Sequence, residues 1–537
     1  MNHLIVCREY PPAPGGGIGT YAQNISRLLA ESGETVHVIG QLWNKSGKDI
    51  EEECNGRLVI HRLPFENRTV FVWPRASSLI GSKVARALYA SDYPPLCFSW
   101  LAGALAERLV EEAGIDVIEA QDYEAPLYYF QLRRSLGLGP KRRPPCLVHL
   151  HSPTEFIARH NDWNMDQRPV LIAKQVESYS ICAADALLCP SRFLALQAAD
   201  NYELPKDGVE VIPYPLGDIA KVERNQATWS EGGICYFGRL EKRKGVLDWI
   251  DAAIGVAQQN ANTSFEFAGA NVLDSNPILS EALLDRLIPH DLKARFVFHG
   301  RVRRSLIPQI LKRARIAVVP SRWENFPNTC MEAMASGLPV IASPAGGMAE
   351  MIVDGQTGWI AVRADTAGLQ KALARALETP PARIAEMGGA AAESIRRICG
   401  NQQIVDRHLN FRRRLVDRGA KTLSAQPLLN GTAAKANRGI GVTISDLLVD
   451  YASSGFGQSA NQSADEAAGP ACVDRFRQLV DSDTERSSGP SLISGNGWNG
   501  RAYQPLATIQ CVIGKPALGL RVLRQVARGG RRIKPKD

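Results

Sequence analysis

The chain has 537 residues, of which 45% are hydrophobic and 22% charged, with a formal net charge of +8. That is enough length for at least two full cores and an ordinary globular composition, which excludes a stapled mini-protein, a collagen-like chain and a wholly disordered one. The mild positive charge is compatible with anionic ligands or an anionic membrane surface. The 11 cysteines are scattered without a CxxC pair, which argues for reduced, buried thiols and against a disulfide framework or a zinc site.

In chain order, MNHLIVCREYPP reads as a first strand and not as a signal peptide, because it has neither a basic leader nor a cleavage site. LIVC (4–7), TVHVIG (35–40), DVIEA (116–120), CLVHLH (146–151), ALLCPS (186–191) and VEVIPYP (209–215) predict strands, with amphipathic stretches such as ISRLLAESG (25–33) between them. A polar break at 217–232 reads as a linker. A second series follows: ICYFGR (234–239), SFEFAGA (264–270), RFVFHGR (295–301), IAVVPS (316–321), LPVIAS (338–343) and GWIAV (358–362). The expected fold is therefore α/β, with two doubly wound Rossmann-like domains at 1–216 and 233–381 that face a central cleft. Open sheets of this kind bind ligands at the carboxyl ends of their strands. Residues 382–417 read as a helix. Residues 418–537 read as a low-complexity, largely disordered tail. Its end, 515–537, is basic, and Arg521, Arg524 and Arg528 share a helical face. Two readings stand there: a solvated cationic tail, or an interfacial helix touching anionic lipid.

Four motifs carry chemistry. GGGIGTYA (15–22) opens a helix, and its glycines let backbone approach a ligand while the helix start offers N–H groups to an anion. Gly17, Gly19 and Ala22 fit a dinucleotide pattern, but three prolines precede them and no acidic residue ends the second strand. A phosphate- or sugar-facing loop fits better. In FGRLEKRKG (237–245), Arg239 and Lys244 follow a strand end at a spacing that suits a pyrophosphate. In PSRWENFPNTCMEAMASGLPVIASPAGGMAEMIVDGQTGW (320–359), Asn328 is expected to cap a helix running to Gly337, with N–H groups near Asn328 and Thr329 turned to a phosphate. Glu324 lies in the loop before that helix and Glu332 in its second turn, two carboxylates able to accept sugar hydroxyls. A hydrolase would use such a pair as acid and nucleophile, but nothing else in the sequence requires that. In HLHSPTEF (149–156), His149 and His151 share one face of a regular strand. His151 is preferred as the reactive one because it lies nearer the strand end, and a structural histidine is the rival reading.

Glu324 and Glu332 form an E-x7-E motif, and together with the GGG loop, GRLEKRKG and the block around EAMASGLPV they make residues 1–415 resemble the retaining GT-B glycosyltransferases of family 4. The resemblance implies a first domain on the acceptor side and a second that binds the donor. It implies that Glu324 contacts the donor sugar's hydroxyls, that Glu332 holds the nucleotide ribose, and that Arg239 and Lys244 stabilise the leaving diphosphate. Backbone amides of Phe326, Asn328 and Thr329 would face the sugar and phosphates. Gly16 and Gly17 would close over the donor, His151 would lie by the reacting sugar carbon, and the helix after 382 would cross back to the first domain. Many members carry glycine where this chain has Pro327, which lacks an N–H and so bears on donor identity.

The resulting expectation is a metal-independent retaining transfer from a nucleotide sugar to a glycan or lipid-linked acceptor, in cell-envelope or exopolysaccharide synthesis. The location expected is the cytoplasm, with peripheral contact on the inner membrane face. No metal, resident cofactor or nucleic acid is expected. The alternatives are a sugar-nucleotide epimerase of the same fold and a non-catalytic sugar-nucleotide-binding protein.

Overall fold

The computed structural model describes residues 1–421 except 14, 43–46, 65–92, 136–138, 261, 273–279 and 304–305. Residues 422–537 of the tail, with both readings of its basic end, lie outside the described residues, and Arg418, given to the tail, belongs to the preceding helix.

The first sheet has eight strands in the order β3-β4-β2-β1-β5-β6-β7-β8. These are β1 (Asn2–Val6), β2 (Thr35–Leu42), β3 (Ile50–Glu53), β4 (Leu58–Pro64), β5 (Val117–Gln121), β6 (Cys146–His149), β7 (Ala186–Cys189) and β8 (Val209–Val211). The central strands are continuous apolar runs because helices cover both faces, as in β1, where Leu4, Ile5 and Val6 are fully buried. Every pairing is parallel except β3 with β4. That hairpin edge was not expected, since β3 reads IEEE. Charges of that kind protect a sheet edge from pairing with another chain.

The second sheet is all parallel, in the order β11-β10-β9-β12-β13-β14. Its strands are β9 (Gly233–Phe237), β10 (Phe265–Ala268), β11 (Phe296–Phe298), β12 (Ala314–Val319), β13 (Val340–Ala342) and β14 (Gly358–Ile360). The two doubly wound sheets expected from the apolar runs are thus present. In each sheet the strand order reverses once at the centre, between β1 and β5 and between β9 and β12. The glycine-rich loop follows β1, the Arg239–Lys244 segment follows β9 and the Glu324 loop follows β12, so these motifs sit at the switch points where such sheets bind ligands.

The polar break at 217–232 contains a short helix, Gln226–Glu231. Arg224 anchors it to the second domain by donating to the carbonyls of Ala314 at 3.0 Å and Ser336 at 2.9 Å. The stretch expected as one helix after 382 is two, Pro381–Cys399 and Asn401–Arg418, parted at Gly400. The second of these returns to the first sheet, where Ile404 and Leu415 pack with Val117, Leu147 and Leu188. Between the sheets, one apolar cluster joins Tyr21, Ile25 and Tyr214 of the first domain to Phe326, Met331 and Met334 of the second. Among the described residues no helix is long and apolar enough to cross a membrane.

Candidate functional site

The loop after β12 is held by backbone packing. Glu324 bridges to Gly346, and Gly347 N donates to the Asn325 carbonyl at 2.9 Å. Gly346 has φ +122°, and a Cβ there would lie 1.9 Å from the Glu324 carbonyl oxygen, so the glycine pair of the motif is a requirement of close approach. This fixes the Glu324 carboxylate, which accepts from Arg243 Nη1 at 3.1 Å and from Lys244 Nζ. Arg243 is itself buried; it donates to Glu241 at 2.8 Å and lies over the Trp323 ring. Burial would raise the Glu324 pKa, yet the Arg243 and Lys244 charges outweigh it and hold the carboxyl at about 2. An ionised carboxylate accepts sugar hydroxyls and has no proton to donate, so Glu324 does not suit the acid role of a hydrolase.

Arg239 and Lys244 both act on the charges of Glu241 and Glu324, but they differ in exposure. The Arg239 side chain is 59% exposed and touches Glu241 at 3.3 Å, whereas Lys244 is turned inward onto Glu324. The cation missed by sequence reasoning is Arg243. A single 3-10 turn over Lys242–Lys244 separates the three consecutive basic residues and turns the middle one into the interior.

The helix after the loop, Asn328–Ala335, corrects one expectation. Its N-cap is Pro327, with φ −70° and ψ 123°, and Asn328 is the first helical residue. Freed from capping, the Asn328 amide donates to the Gly17 carbonyl across the cleft at 3.4 Å. Gly17 begins the helix Gly17–Glu31, capped by Gly16, and both glycines are exposed. Neither N-cap residue supplies a side-chain cap, and two helix starts meet at the cleft, with the Glu9 carboxylate accepting from the Gly16 N–H at 3.2 Å at the first of them. Phe326 is buried and packs edge-on against Tyr214, with centroids 5.7 Å apart. Thr329 and Glu332 are half-buried in the first two turns of the second helix.

On the first-domain wall the structure separates the two histidines. His151 is gripped by both domains: its N–H donates to Asp122 at 2.9 Å, and its carbonyl accepts from the Asn325 amide at 2.7 Å. Its Nδ1 lies 2.5 Å from the Tyr214 hydroxyl, and Nε2 has no hydrogen-bond partner among the described residues. Burial, and then the neighbouring His149, push its pKa well below the usual histidine range, so the ring is neutral. His149 instead faces Glu119, with Nδ1 at 3.2 Å.

Sequence reasoning also missed the contacts that close the cleft. Asn325 accepts from Ser191 Oγ at 2.5 Å, and the Glu350 carboxylate receives the backbone N–H groups of Arg192 and Phe193 at 3.0 and 2.8 Å. Trp323 stacks on Phe156 and His160 and donates to Gln197 at 2.9 Å. Asn325 adjoins the flagged Glu324, and that adjacency was the available signal. Among the described residues no group of three or more His, Cys, Asp or Glu could hold a metal ion.

The Glycosyltransferase Family 4 model matches residues 15–216, and the Glycosyl transferases group 1 model matches residues 231–379. Between them the models take in well over half of the chain. The chain belongs to glycosyltransferase family 4. This glycosyltransferase is 26% identical to glycogen synthase of Mycobacterium tuberculosis over 404 residues, covering 71% of this chain and 87% of that one. Its fold is GT-B. Sucrose-phosphate synthase from Thermosynechococcus elongatus superposes with a TM-score of 0.60 at 19% identity, over 78% of this chain and 100% of the other. Anabaena HepE in complex with UDP-glucose gives 0.53 at 15% identity, over 76% and 99%.

Proposed function

We propose that this glycosyltransferase moves a sugar from a nucleoside-diphosphate donor to an acceptor hydroxyl with retention of anomeric configuration. The observation that carries the reading is the meeting of two helix starts, at Gly17 and Asn328, beside an ionised Glu324 and a largely exposed Arg239. Such helix ends favour a diphosphate. The complex of HepE with UDP-glucose supports a nucleotide sugar as donor.

In this reading Glu324 accepts hydroxyls of the donor sugar, and Glu332 accepts those of the ribose. Backbone amides of Phe326, Asn328 and Thr329 face the sugar and phosphates, and Gly16 and Gly17 cover the donor from the first domain. The bond from the anomeric carbon to the phosphate oxygen breaks as the acceptor oxygen bonds on the same face. The acceptor's proton passes to the departing phosphate oxygen, and the nucleoside diphosphate leaves. Arg239, Lys244 and the helix starts stabilise the charge that develops on that diphosphate. We assign no metal or cofactor, because these groups supply the positive charge the leaving group needs. His151 is neutral and contacts the sugar near its anomeric carbon, where an imidazolium would repel the positive charge growing there. Closure of the two domains excludes water and limits hydrolysis.

We put a glycan or lipid-linked glycan of the cell envelope, or an exopolysaccharide, first among acceptors, on the strength of the family and of the basic sequence 515–537. Working at the cytoplasmic face, that sequence would hold the enzyme on anionic lipid. Deleting 515–537 is expected to weaken cosedimentation with phosphatidylserine vesicles at low salt and to leave transfer to a soluble acceptor intact.

A thermal-shift panel of UDP-glucose, ADP-glucose and GDP-mannose tests the donor assignment, since a ligand that binds the folded state raises the melting temperature by mass action. One nucleotide sugar should stabilise the enzyme, with its nucleoside diphosphate stabilising it less. A donor whose sugar is epimerised without any acceptor would overturn the reading.

A further inference from the structure

The returning helix Asn401–Arg418 buries a stripe made of Ile404, His408, Arg412 and Leu415. At two of these positions a helix that merely braced the first domain would carry leucine. Arg412 is fully buried and ion-paired with Glu119, which is also fully buried and lies 293 residues away in the sequence. A buried pair of this kind adds little stability over well-packed apolar side chains, so stability alone does not account for it. Departures from local packing rules of this sort mark functional positions.

The pair leads to the candidate catalytic histidine in two steps. While Arg412 holds one carboxylate oxygen of Glu119, the other accepts from Tyr21 OH at 2.9 Å and faces His149 Nδ1 at 3.2 Å. An ionised carboxylate only accepts, so it places the His149 proton on Nδ1 and fixes that ring. His149 in turn stacks on His151, with centroids 4.2 Å apart and planes at 27°. Tyr214 stacks against His151 at 5.4 Å and 28°, and Tyr21 touches both histidines, at 4.4 and 5.1 Å. The His151 ring therefore has its plane set by neighbours that Glu119 orients.

We propose that Arg412 and Glu119, acting through Tyr21 and His149, are positioning residues that fix the His151 ring for transfer. This makes the returning helix part of the catalytic machinery. The charges support the same role. The groups around His149 are Glu119 from β5, Arg412 and His408 from the returning helix, Tyr21 from the first helix, Tyr214 after β8 and His151 beside it, with His3 of β1 against Arg412 at 3.5 Å and Glu34 behind His3. Arg412 is the counterion that stops Glu119 from drawing a proton onto His149 and so setting a cation beside the reacting sugar.

The proposal rests on the transfer role of His151, and its test keeps the two apart. Four variants are compared by release of UDP, ADP or GDP, with UDP-glucose, ADP-glucose or GDP-mannose as donor and a maltooligosaccharide as acceptor: Glu119→Gln/Arg412→Gln, Arg412→Lys, Tyr21→Phe and His151→Ala. The double variant neutralises both members and keeps hydrogen bonding. In folded protein its kcat should drop by ten- to a hundredfold, the scale of a small misplacement, with donor KM within about twofold of wild type. Arg412→Lys, which keeps the charge, should retain most of the turnover. A cooperatively melting double variant with wild-type kcat would overturn the proposal and leave a structural pair. Should the double variant fail to fold, Tyr21→Phe decides, because it deletes one hydroxyl from Glu119: reduced kcat at unchanged donor KM supports the proposal, and unchanged kcat overturns it. Wild-type turnover in His151→Ala would remove the His151 reading itself, and the proposal with it.

Discussion

On the second-domain wall of the cleft the buried polar groups are ions: Glu324 lies against Arg243 and Lys244, and Glu241 lies against Arg243. Around the His151 ring on the first-domain wall they are mainly neutral rings. His149, His151 and His408 have their pKa values lowered by burial, and they surround a single ion pair, Glu119 with Arg412. The contrast matches the two ends of a nucleotide sugar. The diphosphate and the hydroxyls call for fixed charge. The anomeric carbon, which gains positive charge as its bond breaks, calls for polar groups that carry none. In the proposed reading, one wall sets fixed charge against the leaving group, and the other presents neutral rings to the reacting carbon.

The sharpest way to break this comparison is Glu324→Gln. The change leaves Arg243 and Lys244 without their counter-charge and removes the carboxylate assigned to the sugar. Transfer should fall by about a hundredfold or more, and stability by about 3 kcal/mol, as for breaking a buried pair. Chemical denaturation and turnover are measured on the same preparation. Normal transfer in a folded variant would remove Glu324 from the site.

Arg239→Ala separates catalysis from stability. The side chain is mostly exposed, so the melting temperature should stay close to wild type while turnover falls by about a hundredfold, the scale of losing one preorganised donor. Unchanged turnover would move the leaving-group role to Lys244 and the helix starts alone.

The walls should also differ in acid. Burial holds His3 at about 4, with Glu34 pulling the other way, and holds His61 at about 4 as well. The unfolded chain takes up these protons near pH 6.5 and the folded chain does not, so first-domain stability falls as pH drops from about 6.5 toward 4. Glu324 is lowered from 4.5 to about 2, so its stabilisation is fully present above pH 4.5 and is lost between 4.5 and 2. Asp122, raised by burial to about 7, acts in the opposite sense over this range, so the histidine contribution is read as the difference in urea midpoint between wild type and His3→Gln/His61→Gln, which should shift against wild type as pH drops from 7 to 4.5. A difference that does not change over that range would contradict the neutral-ring account.

The smallest effect expected is that of Glu350→Gln, which weakens the charged cap on helix Arg192–Asn201 across the cleft. A loss of about 1 kcal/mol, read as a modest drop in melting temperature, is predicted. No change would mean that the cap does not help to hold the domains together.

Much of this was legible in the sequence, because parallel strands buried on both faces announce themselves as apolar runs and the E-x7-E block is local. The β3–β4 edge was missed because IEEE carries no strand pattern; its charge is what an exposed edge wants. The returning segment reads as one helix because amphipathic spacing continues through Gly400, whose extended conformation redirects the chain. Asn328 looked like a cap by residue type, but Pro327 already supplies the non-helical position, and the asparagine reaches Gly17 instead. Glu119 and Arg412 could not be paired from sequence, since neither sits in a motif and only the fold brings them together. A stripe position holding arginine where Ile404 and Leu415 flank it was the one local clue.

Same-face transfer fixes the anomeric configuration of the new glycosidic bond. Proton NMR of the transfer product, made with the donor chosen by the thermal-shift panel, reads the anomeric configuration of the new glycosidic bond, which as an acetal does not mutarotate. A product with the donor's own configuration, lost in Glu324→Gln, is the predicted result. A product of inverted configuration would contradict same-face transfer and the division of labour between the two walls.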